Sequence, residues 1–290
     1  MLRSIVEEMV GDAYEDIQPI STSSHCFKAT SRLDASTVVF IKAFDFSKDE
    51  KHKAMYANEL RLLRLLHDAT YICRLIDTAV DEKRCVGVIV QQYIDHDDLI
   101  DRVNGERDLH DIRHVTFVHF LFSHMIVILQ DLKARGIVHC DIKPENILCE
   151  KNTRRLYVVD FEFSFCVDVD DPQPIRGTIP YVDHALFMRI VMRRAASNVR
   201  YAPQNDLWST AVMIYRFLFL GLPWDLSYND SILSKATFRR ELLQWDFTMH
   251  FPTHESSDLL HCCINAISLC LVPHKNRPSL ELVQEILKKE

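Results

Sequence analysis

The sequence predicts an α+β chain of two lobes, a small strand-rich first lobe with one principal helix and a larger helical second lobe. Three observations predict it: two β-branched runs lie within the first ninety residues, a charged helix-period segment sits between them, and after Tyr93 the apolar pattern turns almost wholly helical. The first run is Thr37–Ile41 and the second Cys85–Val90, each short and bounded by polar residues. From about Lys51 to Leu66, Leu62, Leu63 and Leu66 keep helical spacing. In the second lobe Val118, Leu121, Phe122, Met125, Leu129 and Leu132 follow an i, i+3, i+4, i+7 course, and Gly136 supplies a stop. Further helices are predicted at 206–219, 257–271 and 279–288, the last opened by Pro278 and Ser279.

Composition bounds the function. The 290 residues carry 34 Lys and Arg against 41 Asp and Glu, a formal charge of −7, which argues against nucleic acid as a partner. With 48% hydrophobic and 26% charged residues the chain is expected to fold and be soluble. Glu7 and Glu8 interrupt the N-terminal apolar stretch, so no secretory signal is read there. Phe117–Leu132 and Leu207–Trp224 are broken by polar residues and are read as core helices, with no membrane partner. Nine scattered cysteines without a C-x-x-C pair suit a reduced intracellular protein, cytoplasmic or nuclear.

The chemistry concentrates in His139-Cys140-Asp141-Ile142-Lys143-Pro144-Glu145-Asn146, followed after a strand-like Leu156–Val159 by Asp160-Phe161-Glu162. In order and separation this text resembles the catalytic loop and metal-binding triplet of the eukaryotic-type protein kinases, and the resemblance covers nearly the whole chain. It implies one bilobal kinase domain over 1–290, with an N-lobe to about residue 92, a hinge at 91–97 and a C-lobe from 98. It further implies that Asp141 accepts the proton of a substrate hydroxyl and that Lys143 neutralises charge on the transferred group. Lys42 is implied to hold the α- and β-phosphates, with Glu59, seventeen residues on, as its partner. Gln91 and Gln92 fall in the hinge, Gln92 among the residues that hold the nucleotide. Asn146 and Asp160 are implied Mg²⁺ ligands. Lys143, with Gly177-Thr178, points to serine/threonine transfer. ATP and Mg²⁺ are the implied cofactors, protein substrates the implied partners, and a monomer the expected state. Asp206 is expected to hold the catalytic-loop backbone.

Departures from the family pattern cluster around the nucleotide. None of the six glycines lies in Pro19–Phe27, where the phosphate-covering loop is expected. Phe40 stands two residues before Lys42, where alanine usually roofs the adenine; overpacking there costs about 1–3 kcal/mol. Glu162 replaces the glycine after Asp160-Phe161, adding about 2 kcal/mol of repulsion per phosphate charge. Cys140 replaces an arginine that pairs with an activation-loop phosphate, so no activating phosphorylation of that loop is expected. Asp183 stands in for the missing glutamate partner of Arg277. These features keep a second reading open, a catalytically weak or inactive pseudokinase acting as a regulatory binding or scaffold module.

Overall fold

The computed structural model describes residues 2–20, 25–47, 49–99, 101, 111–167, 169, 177–191, 203–219, 221–224, 242, 245–249, 251 and 257–288. Residues 21–24 of the expected phosphate-covering loop, the acidic group Asp168, Asp170 and Asp171, and Arg193, Arg194 and Arg200 lie outside them. The chain divides into two compact units: Met1–His96 with Glu150–Phe163, and Asp97–Cys149 with Ser164–Glu290.

In the first unit, α1 (Leu2–Val10), β1 (Tyr14–Pro19), β2 (Cys26–Ser31) and β3 (Val38–Asp45) precede α2 (Glu50–Leu65), β4 (Leu75–Asp81) and β5 (Val86–Gln92). The sheet is antiparallel in the order β1-β2-β3-β5-β4. Strand alternation divides β3 between two faces: Val39, Ile41 and Ala43 are buried, whereas Val38, Phe40 and Lys42 are partly exposed. The Val39 face packs with Phe27, Ala29, Val88 and Val90 against Val6 and Val10 of α1, whose Leu2, Ile5 and Met9 flank them. This N-terminal helix was not predicted. Its i, i+4 apolar positions are interleaved with Glu7 and Glu8, which its outer side exposes. Among the described residues, the first ninety therefore hold α1 beside the principal helix α2. Asp49 caps α2 by accepting the Lys51 N–H, and the Tyr56 hydroxyl meets Thr78 Oγ1 of β4 at 2.6 Å. After the two-residue β6 (His96–Asp97) the chain enters the second unit. It returns at Glu150, and in β9 (Leu156–Val158) the Val158 N–H donates to the Tyr71 carbonyl at 2.9 Å.

The second unit is built on α3 (Ile112–Ala134), with β7 (Ile137–Val138), β8 (Ile147–Glu150), β10 (Phe165–Cys166), α4 (His184–Val191), α5 (Pro203–Phe219), α6 (Asp258–Cys270) and α7 (Leu280–Leu287). Asp111 caps α3, and Gly136, at φ 69°, ends it. At 23 residues α3 starts five residues before the expected Phe117 and stops, as expected, ahead of Gly136, and it is long and apolar enough to cross a membrane by length and composition. It packs on α5, α6 and α7, burying eleven residues from His114 to Leu132. Helix α5 is buried on nearly every side from Asn205 to Leu218, which explains its apolar text better than a surface stripe would. Ser257 and Ser279 cap α6 and α7 through their hydroxyls.

Candidate active site

In the first unit β3 presents Lys42 and α2 presents Glu59, and their side chains meet. Lys42 Nζ donates to Glu59 Oε2 at 2.8 Å, to Asp160 Oδ1 at 2.7 Å and to Glu162 Oε2 at 3.4 Å. Asp160 holds a left-handed φ of 71°, which turns the carboxylate toward the lysine just after β9 ends. Asn58 of α2 donates through Nδ2 to the Glu162 carbonyl at 3.3 Å, tying the helix to the triplet backbone. Carboxylate oxygens of Glu59, Asp160 and Glu162 all lie within 4.8 Å of one another. One ammonium faces three carboxylates. Burial would lower Lys42, but the pull of Glu59, Asp160 and Glu162 outweighs it and holds the ammonium well above its ordinary range. Glu59 is fully buried, and burial pushes it up to about 7, with Lys42 pulling down and the two other carboxylates pushing up. The two shifts agree: where negative charge is in excess, the ammonium keeps its proton and the most buried carboxylate is the first to take one.

Phe40 is half-buried on the Lys42 face of the sheet, beside Lys28 on β2 and Gln91 on β5 in register. Gln91 is buried and donates to the Cys73 carbonyl at 3.1 Å. Gln92 ends β5 with its backbone N–H given to the Arg74 carbonyl, and its residue lines a cavity of about 670 Å³ with Lys28, Thr37, Tyr93 and Asp95.

The second unit gathers the other expected residues. Lys143 Nζ donates to Asp141 Oδ2 at 2.6 Å and to Thr178 Oγ1 at 3.0 Å. The Thr178 N–H donates to Asp141 Oδ1 at 2.7 Å, and Asn146 Nδ2 reaches the Asp141 carbonyl at 2.9 Å and Oδ2 at 3.2 Å. Both oxygens of Asp141, itself 3% exposed, therefore accept hydrogen bonds. The one-turn helix Pro144–Asn146 brings Asn146 back toward Asp141. Buried Asp206 receives the backbone N–H of His139 at 2.7 Å and of Cys140 at 2.9 Å, the scaffold role expected of it. Burial raises its pKa, opposed by these bonds and by His139. Cys140 holds a φ of 71° and points its thiol at the Val138 carbonyl. Gly177, at φ 120°, brings the segment so close that a Cβ there would stand 2.6 Å from the Cys140 carbonyl oxygen. The sequence reading missed Ser164, whose hydroxyl braces the His139 carbonyl at 2.9 Å, and Asn58; no motif marks either residue.

Farther along, Asp183 and Arg277 form an ion pair with both side chains fully buried. Arg277 also donates to the Val272 and Gln204 carbonyls and stacks over Trp208 at 4.6 Å, while Asp183 caps α4 by accepting the N–H groups of Ala185 and Leu186. The substitution read from the sequence is thus realised.

Residues 21–290 match the protein kinase domain family model. The chain is 24% identical over 232 residues to the probable serine/threonine-protein kinase mps1 of Dictyostelium discoideum, covering 77% of this chain and 22% of that protein. It is 29% identical over 203 residues to the serine/threonine-protein kinase ULK3 of Xenopus laevis, covering 68% and 40%. With serine/threonine-protein kinase 1 of Lymantria dispar multicapsid nuclear polyhedrosis virus the identity is 26% over 207 residues, covering 71% and 68%. The first of these curated relatives are far longer than the matched region; the chain spans between a fifth and two fifths of their length. Among solved structures, the Cydia pomonella granulovirus kinase PK-1 superimposes with a TM-score of 0.72 at 18% identity, over 99% of this chain and 96% of that one.

Proposed function

This chain belongs to the protein kinase family, and from that premise we propose that it transfers the γ-phosphoryl group of ATP, with Mg²⁺, to serine or threonine hydroxyls of protein substrates. The observation that carries the proposal is Lys143 held between the Asp141 carboxylate and the Thr178 hydroxyl. Asp141 is placed to accept the proton of the substrate hydroxyl as its oxygen bonds to phosphorus and the bond to the departing diphosphate breaks. Lys143 offsets charge on the phosphoryl group as it moves. In the first unit Lys42 is the cation for the α- and β-phosphates, and Glu59 orients it. Gln92 is assigned to nucleotide binding on its place at the end of β5. The donor set suits the metal: Asp160 offers a carboxylate oxygen, and Asn146, its amide nitrogen committed to Asp141, offers Oδ1, both hard oxygens. Bound Mg²⁺ would supply neutralisation of phosphate charge. An intracellular setting is read from the sequence, whose nine cysteines are scattered without a C-x-x-C pair.

The test is radiolabel transfer to a peptide array. Asp141→Asn is expected to lower kcat at least about a thousand-fold while keeping the thermal shift that Mg·ATP produces, whereas Lys42→Met loses that shift. Undiminished transfer by Asp141→Asn would sink the assignment. The rival reading, a pseudokinase scaffold, is favoured by Glu162 beside Lys42 and Phe40 on the same face of the sheet. It predicts no stabilisation of the wild-type protein by millimolar Mg·ATP, since a bound ligand stabilises by RT ln(1+[L]/Kd).

A further inference from the structure

Resting on the nucleotide reading above, we propose that Glu162 is a specificity-determining residue that makes nucleotide binding conditional on a divalent cation by discriminating against metal-free nucleotide. The Lys42 ammonium is the cation assigned to the phosphates, yet three carboxylates already share it, leaving negative charge in excess. Glu59 and Asp160 occupy the positions the family pattern provides; Glu162 stands where that pattern has glycine, so its charge is this chain's own addition.

Its placement is built rather than incidental. The Glu162 side chain is only 18% exposed, its Oε2 lies 3.4 Å from Lys42 Nζ, and its backbone carbonyl is held by Asn58 of α2. A phosphate oxygen bonded to Lys42 at about 2.8 Å would therefore lie within about 6 Å of Glu162. At an effective dielectric of about 20, each unit of ligand charge at that separation changes affinity about ten- to a hundred-fold. Metal-free ATP brings about four negative charges, and Mg²⁺ cancels two of them. The carboxylate consequently repels the free nucleotide more than its magnesium complex. Glycine, lacking a side chain, could not make this distinction.

The experiment is calorimetric titration of the full chain with ATP in EDTA and with ATP in excess Mg²⁺, giving a ratio of the two dissociation constants for each protein. Glu162→Gln keeps the size of the side chain and removes its charge, and is expected to shrink the ratio at least about ten-fold, mainly through tighter binding in EDTA. Glu162→Asp keeps the charge and is expected to keep most of the metal dependence, which a purely steric role for the side chain would not produce. Circular dichroism melts verify that each variant unfolds cooperatively; should Glu162→Gln not fold, Glu162→Gly is titrated instead with the same expectation. Wild-type binding of Mg·ATP with a ratio unchanged in the charge-removed variant overturns this proposal alone. No heat with Mg·ATP from the wild type and the charge-removed variant overturns the nucleotide reading and this proposal together.

Discussion

The two lysine clusters solve unlike electrostatic problems. Lys143 faces one carboxylate, and its remaining partner is the neutral Thr178 hydroxyl, so charge is balanced and each oxygen of Asp141 has a donor. Lys42 faces three carboxylates, and burial, joined by repulsion from Asp160 and Glu162, pushes Glu59 up to about 7. The difference teaches where this sequence has departed from its family. Groups that would handle the acceptor hydroxyl keep the family text and a satisfied geometry, whereas those that would handle phosphate carry an added acid. A surplus of one sign answers to pH and to cations more strongly than a balanced pair does.

The buried pair Asp183–Arg277 is the extreme of balance, with no exposure of either side chain. Burial lowers the pKa of Arg277, and the Asp183 carboxylate beside it opposes that shift. Asp183→Ala should therefore destabilise the protein by about 3–5 kcal/mol, read by urea denaturation. A loss under about 1 kcal/mol would show that the pair is not the balanced anchor described here. A smaller effect is expected at the Lys143 cluster. Thr178→Ala removes one hydrogen bond to a charged group and should lower kcat about ten-fold, with Thr178→Ser close to wild type. Equal losses from Ala and Ser would shift the role from the hydroxyl to the methyl group.

The smallest effect belongs to the surplus at Lys42. The folded pKa of Glu59, about 7, lies above its ordinary value of 4.5. Folding thus favours its protonated form, and that contribution is complete below pH 4.5 and disappears as pH rises through about 7. The difference in Tm between the wild type and Glu59→Gln, which cannot ionise, should therefore fall by roughly 5 °C between pH 5 and pH 8. A flat difference would mean that Lys42 alone neutralises Glu59.

Much of the fold was legible because period is local. The β-branched runs became β3 and β5, and the leucine spacing became α2, each within a few residues of its expected ends. Helix α1 escaped notice because nine residues with two glutamates look like a solvated terminus until a sheet face is there to receive Val6 and Val10. The start of α3 lies ahead of Phe117 because His114 and Thr116, polar in text, are accommodated by bonds to the Phe217 and Ile112 carbonyls. The family resemblance singled out Lys42, Glu59 and Asp160, whose side chains meet in the first unit, and Asp141, Lys143 and Asn146, whose side chains meet in the second. Asp183 could be matched to Arg277 on text alone because no other acid stood near the expected position. The anchoring of Glu162 through Asn58 could not, because a backbone carbonyl carries no sequence signature.

The sequence by itself determined the family, the order of the lobes and the residues that carry charge, because helical and strand periods and catalytic residue types are written along the chain. Only the tertiary structure decided that Lys42 shares its ammonium among three acids and that Lys143 bridges Asp141 and Thr178. It alone set an N-terminal helix over the far face of the sheet. The physical reason is the same in each case: Coulombic and packing energies depend on separations between residues distant in the chain, such as the 118 positions from Lys42 to Asp160, and linear text does not encode such distances.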